Sequence, residues 1–201
     1  MIRAFLAVEL SEELRSCLAQ VQQDVRQRLS HSLPRNVRIS WVQPASIHLT
    51  IKFLGDIDEQ MIEPMRAAIA QAMEGHRTIH VPLERLGIFP RPQQPRVLWV
   101  GPAVSWDQGD DAKRLMEMHR AVEECCQSFG FVPEERPMSP HLTLARIKEG
   151  ERDFGQVLAR SGVLDKPMEI GTFPIASVVL MKSDLRPTGP LYTKLWKVRE
   201  G

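Results

Sequence analysis

The chain has 201 residues, 43% of them hydrophobic and 25% charged, a length and balance that fit one soluble globular domain with a sizeable core. The formal net charge is +1, so no broad basic field marks a long-duplex binder, and any recognition of nucleic acid has to be local. Three cysteines, Cys17, Cys125 and Cys126, show neither an even count nor metal-ligand spacing, which points to unpaired thiols in a reducing cytoplasm.

Residues 2–10 form a short apolar run that reads as a buried strand, not as a signal peptide. No apolar run approaches the ~20 residues that a membrane-spanning helix requires. Ser11 is placed to cap a helix whose first turn carries Glu12 and Glu13. Leu14, Cys17, Leu18, Val21, Val25 and Leu29 then recur at helical spacing, so Cys17 is expected on the buried stripe. Pro34 ends this helix. Residues 38–42 and 47–54 read as strands, followed by a Gly55-Asp56 turn and a helix over 61–74. Strands over 78–88 and 96–101 flank a Pro/Arg/Gln loop from Pro90 to Pro95. A helix over 110–129, a strand over 141–147, a short helix over 152–161 and strands over 168–173, 176–183 and 191–198 complete the chain. The helix-free stretches suggest hairpins, and hence an α+β fold of mainly antiparallel sheets.

The tetrapeptides His48-Leu49-Thr50-Ile51 and His141-Leu142-Thr143-Leu144 are nearly identical and lie 93 residues apart (48 to 141). The same offset carries Arg3, Phe5 and Ala7 onto Arg96, Leu98 and Val100, again in an apolar strand. The chain thus reads as a duplication of a strand–helix–strand unit, each copy carrying His-x-Thr on its last strand. The expected architecture is one bilobal domain over 1–201, its two lobes pseudo-symmetric, with outer helices and the two His-x-Thr strands facing a central cleft.

On a strand, residues i and i+2 share a face, so His48 projects with Thr50 and His141 with Thr143, while the leucines and Ile51 turn to the core. Two such strands across a groove present two imidazoles and two hydroxyls to one small anion. Hydroxyls donate to non-bridging phosphate oxygens. Imidazoles, with an ordinary pKa of about 6.5, serve one as base and the other as acid. A single His-x-Thr is more often a structural pair; its repetition, where other equivalent positions keep only hydrophobic character, favours chemistry.

These motifs resemble those of the two-histidine (2H) phosphoesterase superfamily, and within it the RNA 2′,3′-cyclic phosphodiesterases, also called 2′-5′ RNA ligases. The resemblance is carried by His48-Leu49-Thr50-Ile51-Lys52-Phe53-Leu54-Gly55 and by Pro140-His141-Leu142-Thr143-Leu144-Ala145-Arg146. Gly87 to Pro92, Pro95 to Gly101 and Gly189-Pro190-Leu191-Tyr192 add to it. It implies hydrolysis of a 2′,3′-cyclic phosphate at an RNA end to a 2′-phosphate, without metal or cofactor, and in some members a reverse joining by a 2′-5′ bond. By analogy with relatives, His141 is the base and His48 the acid at the 3′-oxygen, with Thr50 and Thr143 holding the phosphate. The motifs are near-equivalent, so the residues themselves leave that order open.

The resemblance also places an active-site arginine at Arg146. Strict alternation puts Arg146 on the face opposite His141, so it reaches the cleft only if the strand ends or bulges first. By the same parity Lys52 shares the His48–Thr50 face. Phe89, Trp99 and Tyr192 are candidates for stacking on a nucleobase, with core packing as the alternative, and Arg91 and Arg96 for contacts to RNA backbone. Three other readings stand beside this one. A metal hydrolase lacks a His-Glu-x-x-His helix or a Cys/His cluster. A non-catalytic RNA-end binding module has no need of two titratable groups. A phosphoesterase for another cyclic nucleotide, such as ADP-ribose 1″,2″-cyclic phosphate, shares the same phosphate chemistry. A monomer acting on RNA ends or small cyclic nucleotides in the cytoplasm, with no membrane partner, is the expectation.

Overall fold

The structure, a computed structural model, describes residues 1–186 and 189–199. The chain begins with β1 (Ile2–Glu9) and α1 (Glu12–Ser30). Ser11 accepts a hydrogen bond from the Leu14 N–H at 3.3 Å, and Glu12 and Glu13 complement the positive end of the helix dipole. Leu14, Leu18, Val21, Val25 and Leu29 are buried as the spacing predicts, but Cys17 is exposed. It lies beside the buried stripe, next to Leu18.

Strands β2 (Arg38–Trp41) and β3 (His48–Ile57) follow, then α2 (Ile62–Met73). The stretch read as one strand over 78–88 breaks at Glu84 into β4 (Ile79–Leu83) and β5 (Arg85–Phe89), which join different sheets. Next come β6 (Val97–Gly101), α3 (Asp110–Ser128), β7 (Leu142–Glu149), α4 (Glu151–Ser161), β8 (Gly171–Ile175), β9 (Ser177–Arg186) and β10 (Gly189–Arg199).

All strand pairs are antiparallel. One sheet has the order β10-β9-β1-β3, a second β2-β7-β6-β5, and β4 pairs with β8 in a two-stranded ribbon. The expected α+β architecture with two related lobes is what the chain adopts, and the repeat is longer than the sequence suggested. Triplet β9-β1-β3 corresponds to β5-β6-β7, and β4 to β8, while β10 and β2 are additions on opposite edges. Each copy gives its last strand to the other lobe: β5 lies beside β6, and β9 beside β1.

The helices cross over as well. Gln22 on α1 donates to the Val42 and Leu144 carbonyls, each at 2.8 Å, so α1 covers the back of the second sheet although it follows β1 of the first. α3 follows β6 of the second sheet yet reaches Lys52 on β3 of the first. One continuous hydrophobic core therefore runs behind both sheets, including Leu6, Leu18, Leu49, Leu98, Leu142 and Leu180. Phe5, Ala7, Val179 and Met181 form a separate apolar cluster with Tyr192 on the opposite face of the first sheet. That face is the one that carries His48.

The register corrects the repeat offset. Ala7 lies opposite Thr50 and Trp99 opposite Thr143, so the N-terminal strands correspond with an offset of 92 (7 to 99), one less than the His-x-Thr strands. Phe5 thus corresponds to Val97, not to Leu98. The discrepancy is a matter of one residue, but on a strand one residue exchanges the faces.

Candidate active site

His48 and Thr50 open β3, and His141 immediately precedes Leu142 and Thr143 of β7; all four side chains are half-buried. The intervening Leu49 and Leu142 are buried in the core, as period-2 alternation requires. Each imidazole is held in the same way. Nδ1 of His48 lies 2.8 Å from the Ser46 carbonyl oxygen, and Nδ1 of His141 lies 2.8 Å from that of Ser139. A carbonyl only accepts, so Nδ1 carries the hydrogen in both rings and Nε2 is the basic nitrogen. No hydrogen bond among the described residues engages either Nε2.

Aromatic rings hold the imidazoles from the side. Phe5 lies 4.8 Å from the His48 ring and Tyr192 stands edge-on to it at 5.2 Å. Phe89 stands edge-on to His141 at 5.0 Å and stacks on Trp99 at 5.0 Å. Trp99 is only 5% exposed, so of the three aromatic candidates it is a core support beneath Phe89. Its indole occupies the space over Gly87, where an added Cβ would fall 2.1 Å from the ring.

Both β3 and β7 are bulged at equivalent points. Leu6 pairs with Lys52 and Ala7 with Thr50, leaving Ile51 unpaired; Leu98 pairs with Ala145 and Trp99 with Thr143, leaving Leu144 unpaired. A bulge adds one residue to one strand and so reverses the alternation beyond it. Ile51 and Lys52 are both buried, as are Leu144 and Ala145, and the next residues, Phe53 and Arg146, are exposed. Arg146 therefore returns to the face of Thr143, against strict parity. Its charge bears on His48, His141 and the Tyr192 phenol.

The same bulge removes Lys52 from the cleft, contrary to the parity reading. Lys52 is 2% exposed, and its Nζ donates to the Glu123 carboxylate at 2.7 and 2.9 Å and to the Val132 carbonyl at 2.9 Å. Arg91 and Arg96 line a separate open pocket of about 430 Å³ with Pro90, Gln94 and Glu151, which includes neither histidine.

Burial holds both histidine pKa values below the ordinary imidazole value, the carbonyl hydrogen bonds oppose this, and the Arg146 guanidinium depresses both further. His141 lowers His48 slightly further. Burial raises the Tyr192 phenol, against a smaller opposing effect of Arg146. The result is a cleft with two imidazoles, two hydroxyls and one guanidinium, suited to a small phosphate ester. No group of three or more His, Cys, Asp or Glu side chains among the described residues is arranged to hold a metal ion. No helix among them is long and apolar enough to cross a membrane.

Sequence reasoning located the histidines and threonines but missed Phe5, Phe53 and Gly87. The repeat held a signal for Phe53, since the 93-residue offset that relates the histidines carries Phe53 onto Arg146 (53 to 146).

Comparison with known proteins identifies the family. The profile of the family described as LigT-like phosphoesterase matches residues 8–99 and 108–192. A protein of Aeropyrum pernix named RNA 2′,3′-cyclic phosphodiesterase is 32% identical over 87% of this chain and 92% of its own. One of Methanothermobacter thermautotrophicus with the same name is 29% identical over 96% of both chains. A crystal structure of a Thermus thermophilus protein superposes with a TM-score of 0.71 at 27% identity, covering 99% of this chain and 98% of that one. The fold is also that of E. coli LigT complexed with 3′-AMP, at a TM-score of 0.68 and 19% identity over 98% and 97% of the two chains. The chain belongs to the LigT-like phosphoesterase family.

Proposed function

We propose that this protein hydrolyses 2′,3′-cyclic phosphates at RNA ends to 2′-phosphates, with His48 and His141 as the acid–base pair. The observation that carries the reading is the repeated histidine geometry: in both lobes Nδ1 is tied to a backbone carbonyl, which leaves Nε2 free for proton transfer. The names of the relatives and the family match support the substrate class.

In this mechanism neutral His141 takes a proton from water through Nε2 as the water oxygen bonds to phosphorus. The bond from phosphorus to the 3′-oxygen breaks, and protonated His48 gives its Nε2 proton to that oxygen. Thr50 and Thr143 donate to the non-bridging oxygens. Arg146 pairs with the charge that builds on them in the transition state. Phe89 and Tyr192 line the cleft beside the two histidines and contact the nucleoside. With RNA in place of water the same step forms a 2′-5′ bond, since both reactions are substitutions at one phosphorus. The whole chain acts as one bilobal domain, as a cytoplasmic monomer, and needs neither metal nor cofactor.

The test uses adenosine 2′,3′-cyclic phosphate and ¹⁸O-labelled water in EDTA. The expected product is adenosine 2′-phosphate with one ¹⁸O on phosphorus. A 3′-phosphate product reverses the leaving oxygen, and loss of turnover in EDTA rejects the metal-free mechanism.

A further inference from the structure

Lys52 lies two residues beyond Thr50 on β3 and is 2% exposed. Its Nζ donates to both oxygens of the Glu123 carboxylate, at 2.7 and 2.9 Å, and to the Val132 carbonyl at 2.9 Å. Glu123, on α3, also accepts from the Glu134 N–H at 3.3 Å, and His119, one turn earlier on α3, stands 3.7 Å from the same carboxylate. One buried ion pair therefore joins three parts of the chain: the strand that carries His48 and Thr50, the helix α3, and the segment that follows it.

That segment, residues 132–140, contains no helix or strand and runs straight into His141. It is tied at both ends. At its start Val132 and Glu134 bond to the ion pair, and at its end the Ser139 carbonyl accepts from Nδ1 of His141 at 2.8 Å. Pro133, Pro137 and Pro140 lie within it. Each proline fixes its own φ and holds the residue before it extended, Ser139 among them, so the segment is a stiff leash. An apolar pair in place of Lys52 and Glu123 would fill the core as well, because a buried ion pair seldom stabilises more than hydrophobic groups of the same volume. What the charges add is direction: a donor for the Val132 carbonyl and an acceptor for the Glu134 N–H, both at one place relative to β3.

We propose that Lys52 and Glu123 are positioning residues of the active site, which fix the segment before His141 against the strand of His48 and so set the Ser139 carbonyl that orients the His141 ring. This rests on the two-histidine reading above, which it deepens by assigning what holds the imidazoles of the two lobes in a common frame.

The test is ¹⁵N NMR of the histidine side chains, with hydrolysis of adenosine 2′,3′-cyclic phosphate measured alongside, for wild type and two variants. Lys52→Met/Glu123→Leu removes both charges and keeps the core filled. The second variant inserts Gly-Gly between the exposed Glu135 and Arg136, which leaves the ion pair intact and slackens the leash. In wild type both neutral rings should carry hydrogen on Nδ1. In both variants His141 is expected to lose that preference while His48, held by the Ser46 carbonyl, keeps it. The same misplacement should lower kcat by about 10–10²-fold, with a smaller change in KM. An unchanged His141 signature in either variant, or an equal loss at both histidines, overturns the proposal. The insertion is confined to exposed loop residues, so it decides the question even where the double variant unfolds. The tautomer is read without turnover, so a wild type that fails to hydrolyse cyclic phosphates rejects the activity and not the positioning role.

Discussion

Thr143 and Arg146 share a face of β7 although they are three residues apart, because Leu144 is bulged out of register with β6. The bulge brings a guanidinium to the face that carries the histidines and threonines. Arg146 lowers both histidine pKa values, so removing it must raise both. Arg146→Ala is expected to lower kcat/KM by about 10²-fold, comparable to loss of one charge-stabilising donor. It should also move both limbs of the pH profile to higher pH. A lower rate with an unmoved profile would place Arg146 outside the cleft.

The depressed histidines set the pH dependence of the wild type. One must be neutral and the other protonated, and in the free enzyme both titrate below about 6.5. The bell of kcat/KM should therefore have its maximum on the acid side of 6.5. Stability follows with a definite sign. The unfolded chain takes up these protons first, so the contribution of neutral His48 and His141 is present above about pH 6.5 and is lost as pH falls through their folded values. His48→Gln/His141→Gln should show a smaller loss of Tm between pH 7 and pH 5 than the wild type, measured by calorimetry.

Lys52 and Glu123 form a buried ion pair 2.7 Å apart, with the Glu134 N–H also donating to Glu123 at 3.3 Å. Lys52→Met leaves a buried carboxylate without its cation and should destabilise the fold by about 3–5 kcal/mol. The double substitution Lys52→Met/Glu123→Leu removes both charges and should recover a large part of that loss. Urea unfolding of the two single variants and the double variant reads the coupling directly. Additive losses would show that the pair is not a unit.

The Gly87 position should tolerate no side chain. A Cβ there meets Trp99, which carries Phe89, which in turn stands against His141. Gly87→Ala is expected to destabilise by about 1–3 kcal/mol through overpacking and to lower kcat. The substitution Gly75→Ala, whose added Cβ would meet nothing within 4 Å beyond its chain neighbours, isolates backbone strain, because Gly75 has a positive φ of 77°.

The elements that carry the repeat were legible because period-2 alternation and the duplicated His-x-Thr need no tertiary information. His48, Thr50, His141 and Thr143 followed from that pattern. Arg146 and Lys52 did not, since Ile51 and Leu144 have the composition of ordinary core residues and nothing local marks them as bulges. Parity carried past an unseen bulge assigns the wrong face, and this is the error made for Lys52. The single strand over 78–88 failed for a related reason: its residues favour extended backbone throughout, and only the sheet arrangement divides them at Glu84. The exchange of β5, β9 and the helices between lobes depends on long-range packing, for which a symmetric sequence offers no preference. Cys17 was misplaced by one helical position at the edge of a stripe.

Paired histidine catalysis is tested most directly by hydrolysis of a short RNA ending in a 2′,3′-cyclic phosphate, in EDTA, by wild type, His48→Ala and His141→Ala. Conversion to a 2′-phosphate by the wild type is expected, with a loss of order 10² or more in kcat for each variant. Near-wild-type rates in both variants would contradict paired histidine catalysis and assign the chemistry to other residues of the cleft.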